Sequence, residues 1–277
     1  MPFWALFLTA VLAGCVGALD GIGGGLILVP ILTAAGVDIR EAIAIGSVSV
    51  VAISNAASPS FLRQHLPNLK AVAVLEFFAI AGALIGALLT SVVSRHRLFL
   101  FSAVTLFISE FALWRTWNRK QNLVVPDRGS LLRDTMLVGS YYDFVEGKTV
   151  VYESQRLFLG TFCMFGVGIL AGLLGGGGGI FTVLVAELVM GFPTKVALTM
   201  SNLMMGTIAL GSLSVYLEKG SVHTQWMIPV VFGVLPGAFL GAKLLKQLKG
   251  QMVRGIFLCV LTLLGLQMFS NAMGRFR

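Results

Sequence analysis

An all-α polytopic membrane protein is the fold class that three observations predict. The composition is too apolar for water, apolar stretches recur at the length of a bilayer crossing, and two glycine clusters hold the same place in two similar halves of the chain. Of 277 residues, 57% are hydrophobic and 12% charged, whereas a soluble domain is about one quarter charged. Most of the chain is therefore dissolved in lipid.

A spanning helix needs about 17 to 25 mainly apolar residues. Stretches of that length cover 3–19, 42–58, 71–93, 98–114, 157–174, 196–217, 226–242 and 255–273. Two shorter ones, Leu26 to Gly36 and Ile180 to Phe192, follow the clusters "GIGGG" at 21–25 and "GGGGG" at 175–179. They are predicted as half-helices or re-entrant pieces, so the expectation is eight to ten transmembrane or re-entrant helices. The "LAGC" at 12–15 resembles a lipoprotein processing site, but no Lys or Arg precedes it, as such signals require. A similar segment, "FGVGILAGLL", recurs inside the chain at 165–174, so 3–19 reads as a retained helix. Cys15, Cys163 and Cys259 lie in apolar segments without CxxC spacing and read as packing residues.

Internal repetition organises the rest. Sliding the chain by 154 residues lays Gly21–Gly25 on Gly175–Gly179 and "REAIAIGSVSV" at 40–50 on "TKVALTMSNLM" at 194–204, so that Ser47 meets Ser201. A slide of 155 lays "GALIGALL" at 82–89 on "GAFLGAKLL" at 237–245. The chain divides into a first membrane repeat (1–114), a hydrophilic central loop (115–156) and a second membrane repeat (157–277). The loop holds seven of the 20 Lys and Arg and five of the 12 acids, and its "YYDFVEGKTVVYE" alternates around Glu146–Gly147 as a β-hairpin does.

With ten crossings, 14 of the 20 basic residues fall on one side, and Arg40, Arg95, Arg97, Lys219, Arg275 and Arg277 on the other. The positive-inside bias then makes the central loop cytoplasmic and both termini external. Five crossings per half is odd, so the halves form an inverted repeat; with eight crossings this argument lapses. The net charge of +8 follows from topology, and nothing in it resembles a nucleic-acid footprint.

In hydrocarbon every backbone N–H must be paired, so a glycine-rich break survives only against protein or a polar cavity. Its N–H groups and the positive end of the following helix suit an anion, and two such breaks meeting at mid-bilayer would hold one. This makes Gly21, Gly23, Gly24, Gly25, Gly176, Gly177, Gly178 and Gly179 candidate substrate-binding residues. The alternative is close helix packing, favoured for Gly82, Gly86, Gly237 and Gly241. Nucleotide motifs do not fit: "GIGGGL" matches GxGxxG only loosely and "GGGGGIFT" lacks the P-loop Lys.

A glycine cluster running into "LILVP", duplicated across two halves, followed in each by an alanine-and-serine stretch and later by a "GAxxGA" box, resembles the TauE/SafE family of sulfite and organosulfur anion exporters. The resemblance covers about 3–114 and 157–273. It implies an anion transporter in the cell membrane, multi-pass, of a bacterial inner-membrane kind, with sulfite or a related sulfur oxyanion or organosulfonate as cargo. In the second copy Leu184 stands where Pro30 stands in the first, and Glu187 appears in an apolar piece.

Ser47, Ser49, Asn55 and Ser58 in the first half and Thr199, Ser201 and Asn202 in the second follow the breaks and can donate hydrogen bonds to an oxyanion, or bond their own backbone instead. Among these Ser47, Thr199, Ser201 and Asn202 are the substrate-site candidates. Acids within membrane segments are functional suspects: Asp20, Glu76 and Glu187 are candidates for proton or ion coupling, while Glu76 and Glu110 can alternatively reach Lys70 or Arg115. His65, His96 and His223 lie in predicted loops without metal-ligand spacing.

The chain carries no HExxH, GxSxG or paired-carboxylate signature. The expectation is a proton-coupled secondary transporter with no catalytic residues, no metal and no cofactor. Its partners are a small anion and the bilayer, with homo-oligomerisation and a cytoplasmic ligand of the central loop as further expectations. A passive anion channel, or an intramembrane enzyme or scaffold, is the alternative.

Overall fold

The computed structural model describes residues 3–20, 23–63, 66–116, 138–143, 148–175, 178–220 and 224–244, together with Gly255, Thr262, Gly265, Leu266 and Phe269. Helices dominate. In order they are α1 (Phe3–Asp20), α2 (Gly25–Ala34), α3 (Ile39–Leu62), α4 (Leu69–Val92), α5 (Arg95–Thr116), α6 (Leu157–Leu174), α7 (Gly179–Leu184), a π-helical turn (Val185–Val189), α8 (Thr194–Glu218) and α9 (Thr224–Leu244). Between α5 and α6 a two-stranded antiparallel hairpin pairs β1 (Val138–Asp143) with β2 (Lys148–Glu153), Ser140 opposite Val151. The hairpin is the one expected from the alternation of "YYDFVEGKTVVYE"; its turn at Glu146–Gly147 lies outside the described residues.

Among the described residues five helices, α3, α4, α6, α8 and α9, are long and apolar enough to cross a bilayer. Their outer faces are as apolar as their inner ones: Phe158 is 88% exposed, Val92 83% and Phe162 73%. In water such a surface would aggregate; in lipid it is the solvated face. The interior mixes small residues, Ala, Gly and Ser, with larger apolar ones such as Leu28, Ile43, Ile53 and Leu75.

The boundaries follow the repeat. Adding 154 to the ends of α1, 3 and 20, gives 157 and 174, the ends of α6; adding it to 25 gives 179, the start of α7. Packing follows it too. α1 lies along α9 and α4 along α6, while α3 packs on α8 and α9 and α8 packs on α4.

Small residues create these seams. A Cβ on Gly82 would strike Phe165 O, and one on Gly168 would lie 3.0 Å from Ala79 Cα. In the matching seam, a Cβ on Gly237 would strike Val11 O, and one on Gly14 would lie 2.8 Å from Val234 Cα. Gly82, Gly86, Gly237 and Gly241 thus pack backbone against backbone, the role favoured for them from the sequence. Both seams run parallel, because contacts advance together along each pair: Gly82 to Phe165 and Gly86 to Ile169, Gly237 to Val11 and Gly241 to Cys15.

Caps set where helices begin. Asp38 accepts a hydrogen bond from Arg40 N at 3.0 Å ahead of α3, and Asn68 Oδ1 accepts one from Ala71 N at 3.2 Å ahead of α4. Around the C-terminus of α4, Arg40 Nη2 donates to Val93 O at 3.0 Å, Lys219 Nζ to Ser91 Oγ at 2.8 Å, and Arg95 pairs with Asp38 at 2.9 Å. Arg40, Arg95 and Lys219 therefore gather at one end of the molecule, as the side assignment of basic residues anticipates. At the other, Tyr152 of the hairpin packs edge-on against Phe192, and Ser154 Oγ and Gln155 N both donate to Met190 O at 2.9 Å. His96 corrects its assignment to a loop: it belongs to the first turn of α5, because the chain re-enters a helix directly after Ser94.

Candidate functional site at the meeting of the two helix breaks

The first break separates α1 from α2 and is shaped by backbone torsion. Gly23 and Gly24 take φ of +81° and +67°, a region that costs L-residues with a Cβ but not glycine. This turn carries the chain back beside α1, where a Cβ on Gly24 would lie 2.9 Å from Ala13 O. In the first turn of α2 the backbone closes on itself: Gly25 N donates to Gly23 O at 2.8 Å, and Ile27 N and Leu28 N both donate to Gly24 O, at 3.1 and 3.0 Å.

The level of this break is set by α3. A Cβ on Gly23 would lie 2.8 Å from Val50 Cγ1, one on Gly24 2.6 Å from Ile53 Cδ1 and one on Gly25 3.0 Å from Val50 Cγ2. Val50 is half-way along α3, which runs from Ile39 to Leu62. The half-helix α2 therefore starts at mid-height of a membrane-crossing helix.

The second break separates α6 from α7. Gly175, at φ +70°, ends α6, and Gly178 leads into α7, where an added Cβ would lie 3.1 Å from Val167 O. Val167 is the repeat counterpart of Ala13, so both breaks turn back on their own preceding helix in the same way. The copies diverge further on: Pro30 lies inside α2, whereas its counterpart Leu184 is followed by the π-helical turn that carries Glu187. Single π turns concentrate at functional sites.

The two breaks meet. A Cβ on Gly25 would strike Gly175 O, and one on Gly46 of α3 would lie 3.0 Å from the same oxygen. Gly25, Gly46 and Gly175 thus bring three backbones together where no side chain fits.

Polar groups surround this point, and among the described residues no Lys, Arg, Asp or Glu is fully buried there. Ser47, Thr199, Ser201 and Asn202 are all buried. Ser47 Oγ donates to Ile43 O of its own helix at 3.2 Å, and Thr199 Oγ1 to Lys195 O and Val196 O at 3.0 and 2.9 Å. Ser201 instead reaches across the break, donating to Gly179 O at 3.0 Å. Asn202 Nδ2 spans further, donating to Ala18 O in the last turn of α1 at 3.1 Å. The serines that share a repeat position thus do different things. The difference is invisible in sequence, because it depends on which backbone lies opposite.

Among the remaining candidates, Glu76 is half-buried on α4 and Glu187 half-buried on the π-helical turn. Neither lies beside Gly25, Gly46 or Gly175 in the contacts of those glycines. Glu110 accepts a hydrogen bond from Thr262 Oγ1 at 2.6 Å. Gly21, Gly176, Gly177 and the Asp20 side chain lie outside the described residues. Sequence reasoning missed Gly46, whose signal is weak: a lone glycine inside a helix otherwise written in Ala, Ile and Ser. It also missed Ser54, whose Oγ donates to Asn202 O at 2.6 Å.

Among the described residues no cluster of three His, Cys, Asp or Glu side chains is placed to hold a metal ion.

Apolar spanning helices with lipid-facing side chains, interrupted by two half-helices that start beside one another at mid-height, define a multi-pass membrane protein of the transporter class. Comparison with known proteins narrows this. The family model "Sulfite exporter TauE/SafE" matches residues 6–268, and the chain belongs to that family. It is similar to the "probable membrane transporter protein" YunE of Bacillus subtilis (strain 168), 26% identical over 97% of both chains. It is also similar to YfcA of Escherichia coli (strain K12), described likewise, at 24% identity over 98% of this chain and 90% of the relative. A third relative, ORF9 of Sinorhizobium sp, is 27% identical over 86% of this chain and 79% of its own. No solved structure matches.

Proposed function

We propose that this protein is a secondary transporter for a small anion, sulfite or a related sulfur oxyanion or organosulfonate, energised by the proton gradient. The observation that carries the reading is the meeting of the two breaks at Gly25 and Gly175, level with the midpoint of α3. Half-helix N-termini present a positive dipole end, and at mid-bilayer this can bind an anion without a fixed cation. That arrangement binds reversibly, as a carrier must. The cargo class comes from the family's own description.

The parallel seams support an inverted repeat. If the first and fourth helices of each half run oppositely, as five crossings require, inverting one half makes α1 parallel to α9 and α4 parallel to α6. The first half then spans 1–114, the second 157–277, and the hairpin-bearing loop between them is cytoplasmic.

The test is uptake of labelled sulfite into proteoliposomes with and without an imposed pH gradient. Gradient-driven uptake that sulfonates compete is expected. Uptake indifferent to the gradient would point to a passive pathway, and no uptake of any sulfur anion would remove the carrier reading. If Glu76 or Glu187 carries the proton, Glu76→Gln or Glu187→Gln flattens the pH dependence; if neither does, the proton takes another route.

A further inference from the structure

Asn202 lies between the two breaks. Its Nδ2 donates to Ala18 O of α1 at 3.1 Å and to Leu198 O of α8 at 3.3 Å, and its neighbour Ser201 holds Gly179 O. Only an N–H group can face two carbonyl oxygens, so the hydrogen bonds themselves assign the amide's orientation. Its Oδ1 then faces the other way. The residue is 1% exposed, and Oδ1 has no hydrogen-bond partner among the described residues. A buried amide oxygen without a donor is costly and calls for an explanation.

The neighbouring hydroxyls share this polarity. Ser47, Thr199 and Ser201 commit their protons to backbone carbonyls and have none left for an anion. The positive end of α2 attracts an anion, whereas Asn202 Oδ1 can only accept. An anion bare of hydrogen would meet attraction on one side and repulsion on the other.

We propose that Asn202 Oδ1 receives a hydrogen bond from the cargo itself, so that the anion carried is one that bears its own donor. Resting on the carrier reading above, this specifies the species. For an inorganic oxyanion it is the monoprotonated form, hydrogensulfite rather than sulfite, and the proton crosses on the cargo. For a sulfonate it is one with a hydroxyl or ammonium group.

Binding measured by ligand-induced thermal stabilisation of the purified protein tests this apart from transport. With sulfite, affinity should fall by about tenfold per pH unit above the ionisation of hydrogensulfite, because only the protonated fraction binds. With sulfonates at constant pH, 2-hydroxyethanesulfonate should bind at least about tenfold more tightly than propanesulfonate of the same length, a single hydrogen bond in a buried site being worth that factor. The sulfite arm reads the acid proton and the sulfonate arm the hydroxyl; one preference suffices, and neither depends on a variant that must fold. Asn202→Leu, where it folds, should abolish both preferences and keep residual anion binding. Transport with neither preference would overturn the inference and leave the carrier standing. Binding that requires Na+ and ignores both pH and the hydroxyl would also overturn it, by assigning Oδ1 to a cation. Absence of flux for every sulfur anion would remove the carrier reading itself.

Discussion

Two glycines of α6, Gly166 and Gly168, sit one dipeptide apart and face different worlds, and their alanine variants should separate cleanly. A Cβ on Gly166 meets nothing within 4 Å, whereas one on Gly168 lies 2.9 Å from the carbonyl carbon and 3.0 Å from Cα of Ala79. Carbon atoms pack comfortably at about 3.5–4.0 Å, so Gly168→Ala must push α4 and α6 apart. Alanine's advantage over glycine in a helix interior, about 1 kcal/mol, is common to both variants and cancels in their difference. What remains is overpacking, about 1–3 kcal/mol. For a chain of this size that separates the melting temperatures by roughly 2–12 °C. The assay is thermal unfolding of the two variants in detergent. Gly14→Ala, opposed by Val234 O at 2.5 Å in the counterpart seam, should melt with Gly168→Ala. Equal melting of Gly166→Ala and Gly168→Ala would refute the claim that the glycines hold the halves together.

Two further outcomes follow from the site and the hairpin. Ser201→Ala removes the hydroxyl that α8 places on the Gly179 carbonyl and should lose about 1 kcal/mol together with much of the flux. Ser47→Ala only frees a carbonyl of its own helix and should stay near wild type, so equal losses in thermal-shift and flux assays would argue against a special role for Ser201. Tyr152 lies in the hairpin, where burial pushes its phenol up from 10 to about 12 against the lowering effect of its hydrogen bond to Asn68. The folded state favours the neutral phenol, so its contribution to stability is complete below about pH 10 and fades as the pH rises towards about 12. The ultraviolet difference titration between wild type and Tyr152→Phe should therefore show an ionisation near pH 12, and Asn68→Ala should move it higher. A step near the ordinary value would mean the hairpin is not docked.

Gly24 illustrates how the structure changes an expectation. From sequence, Gly24→Leu reads as a change at an anion cradle that leaves the fold alone. Yet a Cβ there already meets Ile53 Cδ1 at 2.6 Å, and φ is +67°. Leucine at that position would disturb the fold as well, and lost flux in Gly24→Leu would not isolate the cradle. Ser201→Ala changes no backbone torsion and, at about 1 kcal/mol, disturbs the fold less.

Composition and periodicity alone determined the membrane class, the apolar segments, the half-helices after each glycine cluster, the hairpin and the repeat, because each depends on residues close in the chain. The length of an apolar run against bilayer thickness and the freedom of glycine at a break are local physics. The tertiary structure alone decided that Gly25 meets Gly175 across a separation of 150 residues, that Gly46 completes the contact, and that Ser201 spans a break while its twin Ser47 bonds its own helix. It alone decided that Asn202 Oδ1 is buried without a hydrogen-bond partner among the described residues. Whether a donor is spent or free depends on which backbone lies opposite it, and that is set by how the helices pack.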